Sequence, residues 1–230
     1  MRVADVVGSA AELVLGACCA GCGRPGPGPC VGCVRRVRGV RPFVVPLLPP
    51  GLPDVFAAGN YEDSLRRLLL AAKERGALGL VPVLGERLAA AAAAAVLAGG
   101  TAEPVVLVPV PTVAAHVAER GLDLTLALAR VAGTRLRAAG LGVRVWPGLR
   151  ILRRPADQSG LGRGERLANL AGAFVARSPP QGRLVVVDDI VTTGATLAEA
   201  VRACALAGAL PAGAATVAAT PRTGVRRGAR

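Results

Sequence analysis

The sequence predicts an α/β fold with a mostly parallel sheet, and three observations carry that prediction. Two continuous apolar runs, Pro104–Pro109 and Leu184–Val187, have the length and composition of strands buried on both faces. Helical patterns alternate with such runs from Asn60 onward, as parallel strands joined by crossover helices require. Ahead of this alternation, two Cys-x-x-Cys pairs lie close together, so a small N-terminal module precedes the α/β domain.

At the front, Val3, Val6, Val7, Ala10, Leu13 and Val14 recur at helical spacing, with Asp5, Ser9 and Glu12 on another face. Leu15-Gly16-Ala17-Cys18 resembles a lipoprotein cleavage site, but Asp5 and Glu12 interrupt the apolar stretch a leader needs. An amphipathic helix and a cytoplasmic location are the expectation.

Cys19, Cys22, Cys30 and Cys33 then form two knuckles joined by a Gly/Pro-rich connector that can turn one pair onto the other. Two residues between thiolates let both sulfurs face one tetrahedral Zn²⁺, and four thiolates leave no open position, so a structural metal is expected. Disulfides would need an oxidising compartment, and a redox pair would normally use one such motif beside a βαβ unit. Cys18 could replace Cys19 as a ligand. Cys204, on the apolar side of a later helix, reads as core.

Residues 34–53 carry Arg35, Arg36, Arg38, Arg41, five prolines and no acid, and read as a basic extended linker. The expected organisation is therefore 1–53 for helix, zinc module and linker, and 54–230 for the main domain, each with its own core.

In the main domain Asn60 is the expected N-cap of a helix carrying Leu65, Leu68, Leu69 and Ala72, with Lys73 and Arg75 at its end. A second helix is expected over Leu80–Ala98. Its apolar run Leu88–Leu97 is mostly alanine and short of the ~20 residues a membrane span requires, so no membrane insertion is expected. Leu122–Ala138 is helical, Val143–Val145 and Leu149–Leu152 are short strands, Leu197–Ala207 is a helix, and Ala214–Ala219 closes the pattern as a strand.

Ligands on such sheets bind at the carboxyl ends of the strands, where Asp188-Asp189-Ile190-Val191-Thr192-Thr193-Gly194-Ala195-Thr196 falls. Gly194 permits a tight turn, the amides of Thr192–Thr196 form an anion nest at a helix start, and the threonines add hydroxyl donors. Paired carboxylates suit the two vicinal hydroxyls of a ribose, and can reach Mg²⁺ through water. Adjacent carboxylates after a buried strand are costly without such a task. No Gly-Lys-Ser/Thr or Gly-x-Gly-x-x-Gly motif is present, which excludes a mononucleotide kinase loop and a dinucleotide fold.

With these residues a family resemblance becomes specific. Val185–Thr196 resembles the signature of type I phosphoribosyltransferases, which bind phosphoribosyl pyrophosphate (PRPP). The wider order of motifs is similar to the ComF family: doubled Cys-x-x-Cys, Tyr61–Gly76 ending in Lys-x-Arg-Gly, Val108-Pro109-Val110-Pro111, Arg120-Gly121, Asp157–Leu161 with Glu165-Arg166 and Asn169, then the Asp188–Thr196 loop. The resemblance implies the type I phosphoribosyltransferase fold. It implies Mg²⁺-dependent transfer of ribose 5-phosphate from PRPP to a nitrogenous acceptor, linked to DNA uptake, or a nucleotide-sensing or DNA-handling role without catalysis. A transcriptional regulator on the same fold is a third reading.

The resemblance assigns Asp188 and Asp189 to ribose, and Val191, Thr192, Thr193, Gly194, Ala195 and Thr196 to the 5′-phosphate cradle. It assigns Val108–Thr112, with Pro109 and Pro111, to pyrophosphate, and Arg153–Arg166 to a loop over the site, with Arg154 among its phosphate-binding arginines. Lys73, the only lysine, is a further candidate phosphate ligand, although a cation is favoured at a helix end in any case. Thr112–Ala118 is almost uncharged where family members carry arginines, and His116 is the only histidine.

Hydrophobic residues make up 52% of the chain against 2% aromatic, so Ala, Val and Leu must build the core. The formal charge is +13, from 28 basic and 15 acidic residues, which favours polyanionic partners. Arg24–Arg41 and the tail Arg222, Arg226, Arg227 and Arg230 hold nine arginines and no acid, an electrostatic surface suited to single-stranded DNA.

Overall fold

A computed structural model describes residues 18–26, 28–46, 48–100, 104–113, 117–118, 121–153 and 169–221. In chain order these form α1 (Val31–Arg38), β1 (Phe43–Val44), β2 (Val55–Ala57), α2 (Asp63–Glu74), a 3-10 turn (Leu78–Leu80), α3 (Val81–Ala98) and β3 (Val105–Pro109). There follow α4 (Leu124–Ala138), β4 (Val143–Val145), β5 (Leu149–Ile151), β6 (Phe174–Ala176), β7 (Arg183–Val191), α5 (Ala195–Leu206) and β8 (Gly213–Ala219). Six strands make one sheet in the order β1-β2-β8-β7-β3-β4, all parallel except the edge strand β1. β5 and β6 pair antiparallel as a separate hairpin.

Alternation along the central strands explains why they read as unbroken apolar runs. Val105, Leu107, Val185 and Val187 pack on one face beneath α2, α3 and α4. Val106, Val108, Leu184 and Val186 pack on the other, beneath α5 and the β5–β6 hairpin. Three layers result, with the sheet in the middle.

Leu78–Ala98 is long and apolar enough to cross a membrane by length and composition, yet 61% of its most apolar window is buried within the fold. Leu84, Leu88, Ala91, Ala92, Ala95 and Val96 belong to the first core face. Alanine at so many positions lets α3 lie flat on the sheet and against α4.

Several elements differ from expectation. The segment from Val34 is not an extended linker: Val31–Arg38 is helical, because Cys33 and Val37 fall one turn apart and are buried together. Phe43–Val44 then joins the main sheet against Phe56 and Ala57. The front residues do not keep a separate core either. Val37 lies in the same cluster as Leu65, Leu68 and Leu69, with Ala20 and Val34 packed against it. Arg87, 5% exposed on α3, donates to the carbonyls of Arg38 (3.1 Å), Val40 (2.5 Å) and Ala58, tying α1, β1 and β2 to the helical layer.

Asn60 is not the N-cap of α2. Asn60 and Tyr61 are held by Ala219 at the end of β8, so the helix begins at Asp63, with Glu62 in the capping position. β7 runs on through both aspartates to Val191, longer than its apolar stretch suggests.

Candidate functional site

The sheet opens a notch beside β7. On the β3 side, β7 is paired only as far as Val187 with Pro109, while on the β8 side pairing continues to Val191 with Ala219. From Asp188 onward one edge of β7 is therefore exposed to the chain leaving β3. A cleft of about 470 Å³ fills this notch, lined by Tyr61, Lys73, Val110–Val113, Leu124, Thr125, Asp188–Ile190, Thr192 and Thr196. Its volume lies within the range of small-molecule pockets.

Strand alternation sends the two aspartates to opposite faces. Asp189 has the parity of Val185 and Val187, toward the helical layer, where its Oδ2 lies 2.8 Å from Lys73 Nζ. Asp188 has the parity of Val186, and its Oδ1 accepts a hydrogen bond from the Asp189 amide at 2.8 Å. Both are buried, at 9% and 6% exposed. Burial first, and the like charge of Asp189 second, hold the Asp188 carboxyl well above the usual carboxylate range; Lys73 and the Asp189 N–H offset this only in part. One carboxyl inclined to keep its proton thus sits beside one ion-paired to a lysine.

At Gly194, φ is +85°, so the turn into α5 takes a left-handed conformation. The reason for glycine is double. A Cβ there would lie 2.8 Å from Leu48 Cδ2 and 3.0 Å from Pro49 Cδ, since residues 48–52 pack over the turn from outside. The first N–H groups of α5 have no intrahelical partner, and the Ala195 amide donates to Thr193 Oγ1 at 3.3 Å. Opposite this turn, Thr112 Oγ1 donates to Asp123 Oδ1 (3.0 Å), which also caps α4 by accepting from the Leu126 amide (3.1 Å).

Of the residues singled out from the sequence, Lys73, Pro111, Asp188, Asp189, Thr192 and Thr196 line the cleft. Thr193 and Gly194 shape its turn. Val191 and Ala195 are buried in the second core face, and Pro109 is buried as the last residue of β3, so these three support the cleft wall and do not line the cleft. Arg154 and His116 lie outside the described residues. Arg153 donates to the carbonyls of Asn169 (2.8 Å) and Ala171 (3.0 Å). Tyr61, Leu124 and Thr125 were not singled out as ligand contacts. The Asp123 N-cap signal could have pointed to the start of α4, but nothing local marks Tyr61, which reaches the cleft through the pairing of its neighbour with β8.

The second cluster is the cysteine knuckle. The Sγ atoms of Cys19, Cys22, Cys30 and Cys33 all lie within 4.8 Å of one another, with Cys22 and Cys30 at 3.6 Å. A tetrahedral Zn²⁺ with Zn–S near 2.3 Å separates its sulfurs by about 3.8 Å, so the donor set fits zinc in both chemistry and spacing. Cys19, not the exposed Cys18, completes the set. Amides of Cys22 and Gly23 fold back onto the Cys19 carbonyl, giving the first knuckle its turn. Burial alone would raise the Cys19 thiol, but the amides of Cys30, Gly21 and Cys22 pull it down to about 6. The Cys30 thiol is also lowered, chiefly by the Cys33 amide. Cys33 is pushed up to about 12 by burial and by the neighbouring cysteines. Cys204 lies apart in the second core face, where burial raises it to about 11.

Compared with known proteins, the sequence matches no family model and no curated relative.

Proposed function

We propose that the cleft binds PRPP with Mg²⁺ and transfers its ribose 5-phosphate to a nitrogenous acceptor, on a fold of the type I phosphoribosyltransferase kind and in a protein of the ComF type. The observation that carries this reading is the buried Asp188–Asp189 pair facing a cleft next to a helix start turned by a left-handed glycine. A buried carboxylate pair needs polar partners, and two vicinal hydroxyls supply them. The N–H groups opening α5, with the hydroxyls of Thr192 and Thr196, suit the 5′-phosphate.

In the reaction the bond from the anomeric carbon to pyrophosphate breaks, and its electron pair leaves with pyrophosphate. An acceptor nitrogen then donates its lone pair to the same carbon from the opposite face and loses its proton to water or to the released pyrophosphate. Asp189, 2.8 Å from Lys73 Nζ, stabilises the positive charge that develops on the ribose. Asp188 fixes the sugar by hydrogen bonding. Lys73 can turn from Asp189 to the leaving pyrophosphate, whose negative charge grows as the bond breaks. Mg²⁺, which Asp188 and Asp189 would hold through water, would supply neutralising charge for the departing pyrophosphate.

Thermal unfolding with PRPP and Mg²⁺ tests the reading, followed by pyrophosphate release against a panel of bases. Ligand at a hundred times its Kd stabilises by about 2.7 kcal/mol, which raises Tm by several degrees. The shift should disappear in Asp189→Asn. No shift at millimolar PRPP, or an equal shift in that variant, would reject the assignment. Shift without turnover on any base would instead favour a sensing or accessory protein.

A further inference from the structure

We propose that the cysteine knuckle sets the position of Lys73 in the cleft, acting through helix α2. Its effect on ligand binding rests on the reading of that cleft as a PRPP site; the mechanical link does not. Helix α2 starts poorly on its own account. Its first residue, Asp63, takes a φ of +45°, a left-handed conformation that is strained for a residue with a Cβ. The support comes from the knuckle. Cys33 Sγ lies 3.9 Å from Ser64 Oγ, which also accepts from Arg36 at 3.5 Å, and Arg67 donates to the Gly21 carbonyl. The Gly21 backbone packs so closely that a Cβ would sit 2.8 Å from Cys33 Sγ and 3.4 Å from Leu68 Cδ2.

All these contacts fall between Ser64 and Leu68. Lys73 stands five residues further along the same rod, roughly 7.5 Å at 1.5 Å per residue, with its ammonium 2.8 Å from Asp189. A helix of 12 residues depends on packing for its order, so loosening its first turn lets fraying spread toward Lys73 at its end. The knuckle is thus built into the wall of the cleft. Loss of metal, by chelation or by oxidation of the thiols, should loosen that wall.

Lys73 is the only lysine of the chain, which makes a clean reporter. Reductive ¹³C-methylation of the full chain labels it and the terminal amine, and Lys73→Arg assigns the signal. The metal-loaded protein is compared with the chelated, reduced protein, metal content being verified by native mass spectrometry, and hydrogen exchange is followed in both. The expected result is a Lys73 signal that moves toward that of free lysine on metal removal and returns on adding Zn²⁺. Amides of Leu65–Ala72 should lose tenfold or more of their protection while β3 and β7 keep theirs, and PRPP affinity should fall tenfold or more. An unchanged Lys73 signal in metal-free protein overturns the proposal. So does loss of protection in β3 and β7 together with α2, which would make the knuckle a support of the whole fold. If the Lys73 signal follows the metal but PRPP does not bind even the loaded protein, the coupling stands and the PRPP reading falls.

Discussion

Asp188 carries a cost that its position makes measurable. An unfolded aspartate titrates near 3.9, and burial beside Asp189 raises that value in the fold. The folded state therefore holds this proton to higher pH than the unfolded state does. By linkage, stability falls as pH rises from about 4 through the raised folded value. Asp188→Asn keeps the oxygen that accepts from the Asp189 amide and removes the charge. The variant should melt above wild type at pH 7, by about 2–4 °C for each 1 kcal/mol relieved, with the gap closing toward pH 4. It should also lose the PRPP-induced shift. Melting curves across pH, with and without ligand, check both. A variant that melts below wild type at pH 7 would mean that the carboxylate is stabilising. A residue that lowers stability and is needed for binding is what a working site should contain.

Among the elements, α5 has two duties, since its first turn shapes the cleft and its middle holds the hairpin. Glu199, 4% exposed, accepts from the Phe174 amide (2.8 Å) and from Arg202 (2.6 Å), while Arg202 also donates to the Phe174 carbonyl (3.0 Å). Burial would raise the Glu199 carboxyl, but Arg202 and the Phe174 amide outweigh it and lower its pKa. The sign is opposite to that of Asp188. This stabilisation is present above the unfolded value near 4.3 and is lost as pH falls through the depressed folded value. Because Arg202 is half-exposed, Glu199→Gln should cost only about 2 kcal/mol at pH 7, and less below pH 4, by denaturant unfolding at constant m-value. An undiminished cost in acid would show that packing, not charge, holds the hairpin.

How much of this was legible followed from how local each signal was. β3, β7 and β8 announce themselves as apolar runs, and α3, α4 and α5 by periodicity or alanine content. β1, β2 and β6, at two or three residues each, are strands only because a neighbour pairs with them. α1 is hidden by its arginines, since only Cys33 and Val37 are fully buried in it. Within the cleft, Asp188–Thr196 is one continuous segment, so its carboxylates, threonines and glycine stand together in the sequence. Tyr61, Thr125 and the Thr112–Asp123 bond come together from three separate segments, which no local pattern joins.

At the scale of the whole molecule, the arginines among the described residues divide into those that hold the fold and those that remain exposed. Arg38 is paired with Glu86 at 2.5 Å, and Arg36 donates to Ser64, so both have work in the structure. Arg24, Arg35 and Arg41 are exposed on the same front segment. Aromatic platforms are scarce: Phe43 is half-buried in β1, and the Arg66 guanidinium lies 5.9 Å from the centre of the Tyr61 ring. Binding of single-stranded DNA should therefore be weak, driven by charge and nearly indifferent to sequence. Three phosphate contacts release about two counterions, so affinity should fall roughly twentyfold between 50 and 200 mM salt. Replacing Arg24, Arg35 and Arg41 together with Ser should reduce the log–log salt slope by about 2. The triple variant leaves Arg36 and Arg38 in place, so the seating of the knuckle on α2 is preserved and PRPP binding should not change. Titration of a labelled poly-dT oligomer at several salt concentrations measures the slope in both proteins. An unchanged slope in the triple variant would move the site off this face, and affinity that ignores salt would remove the electrostatic mechanism altogether.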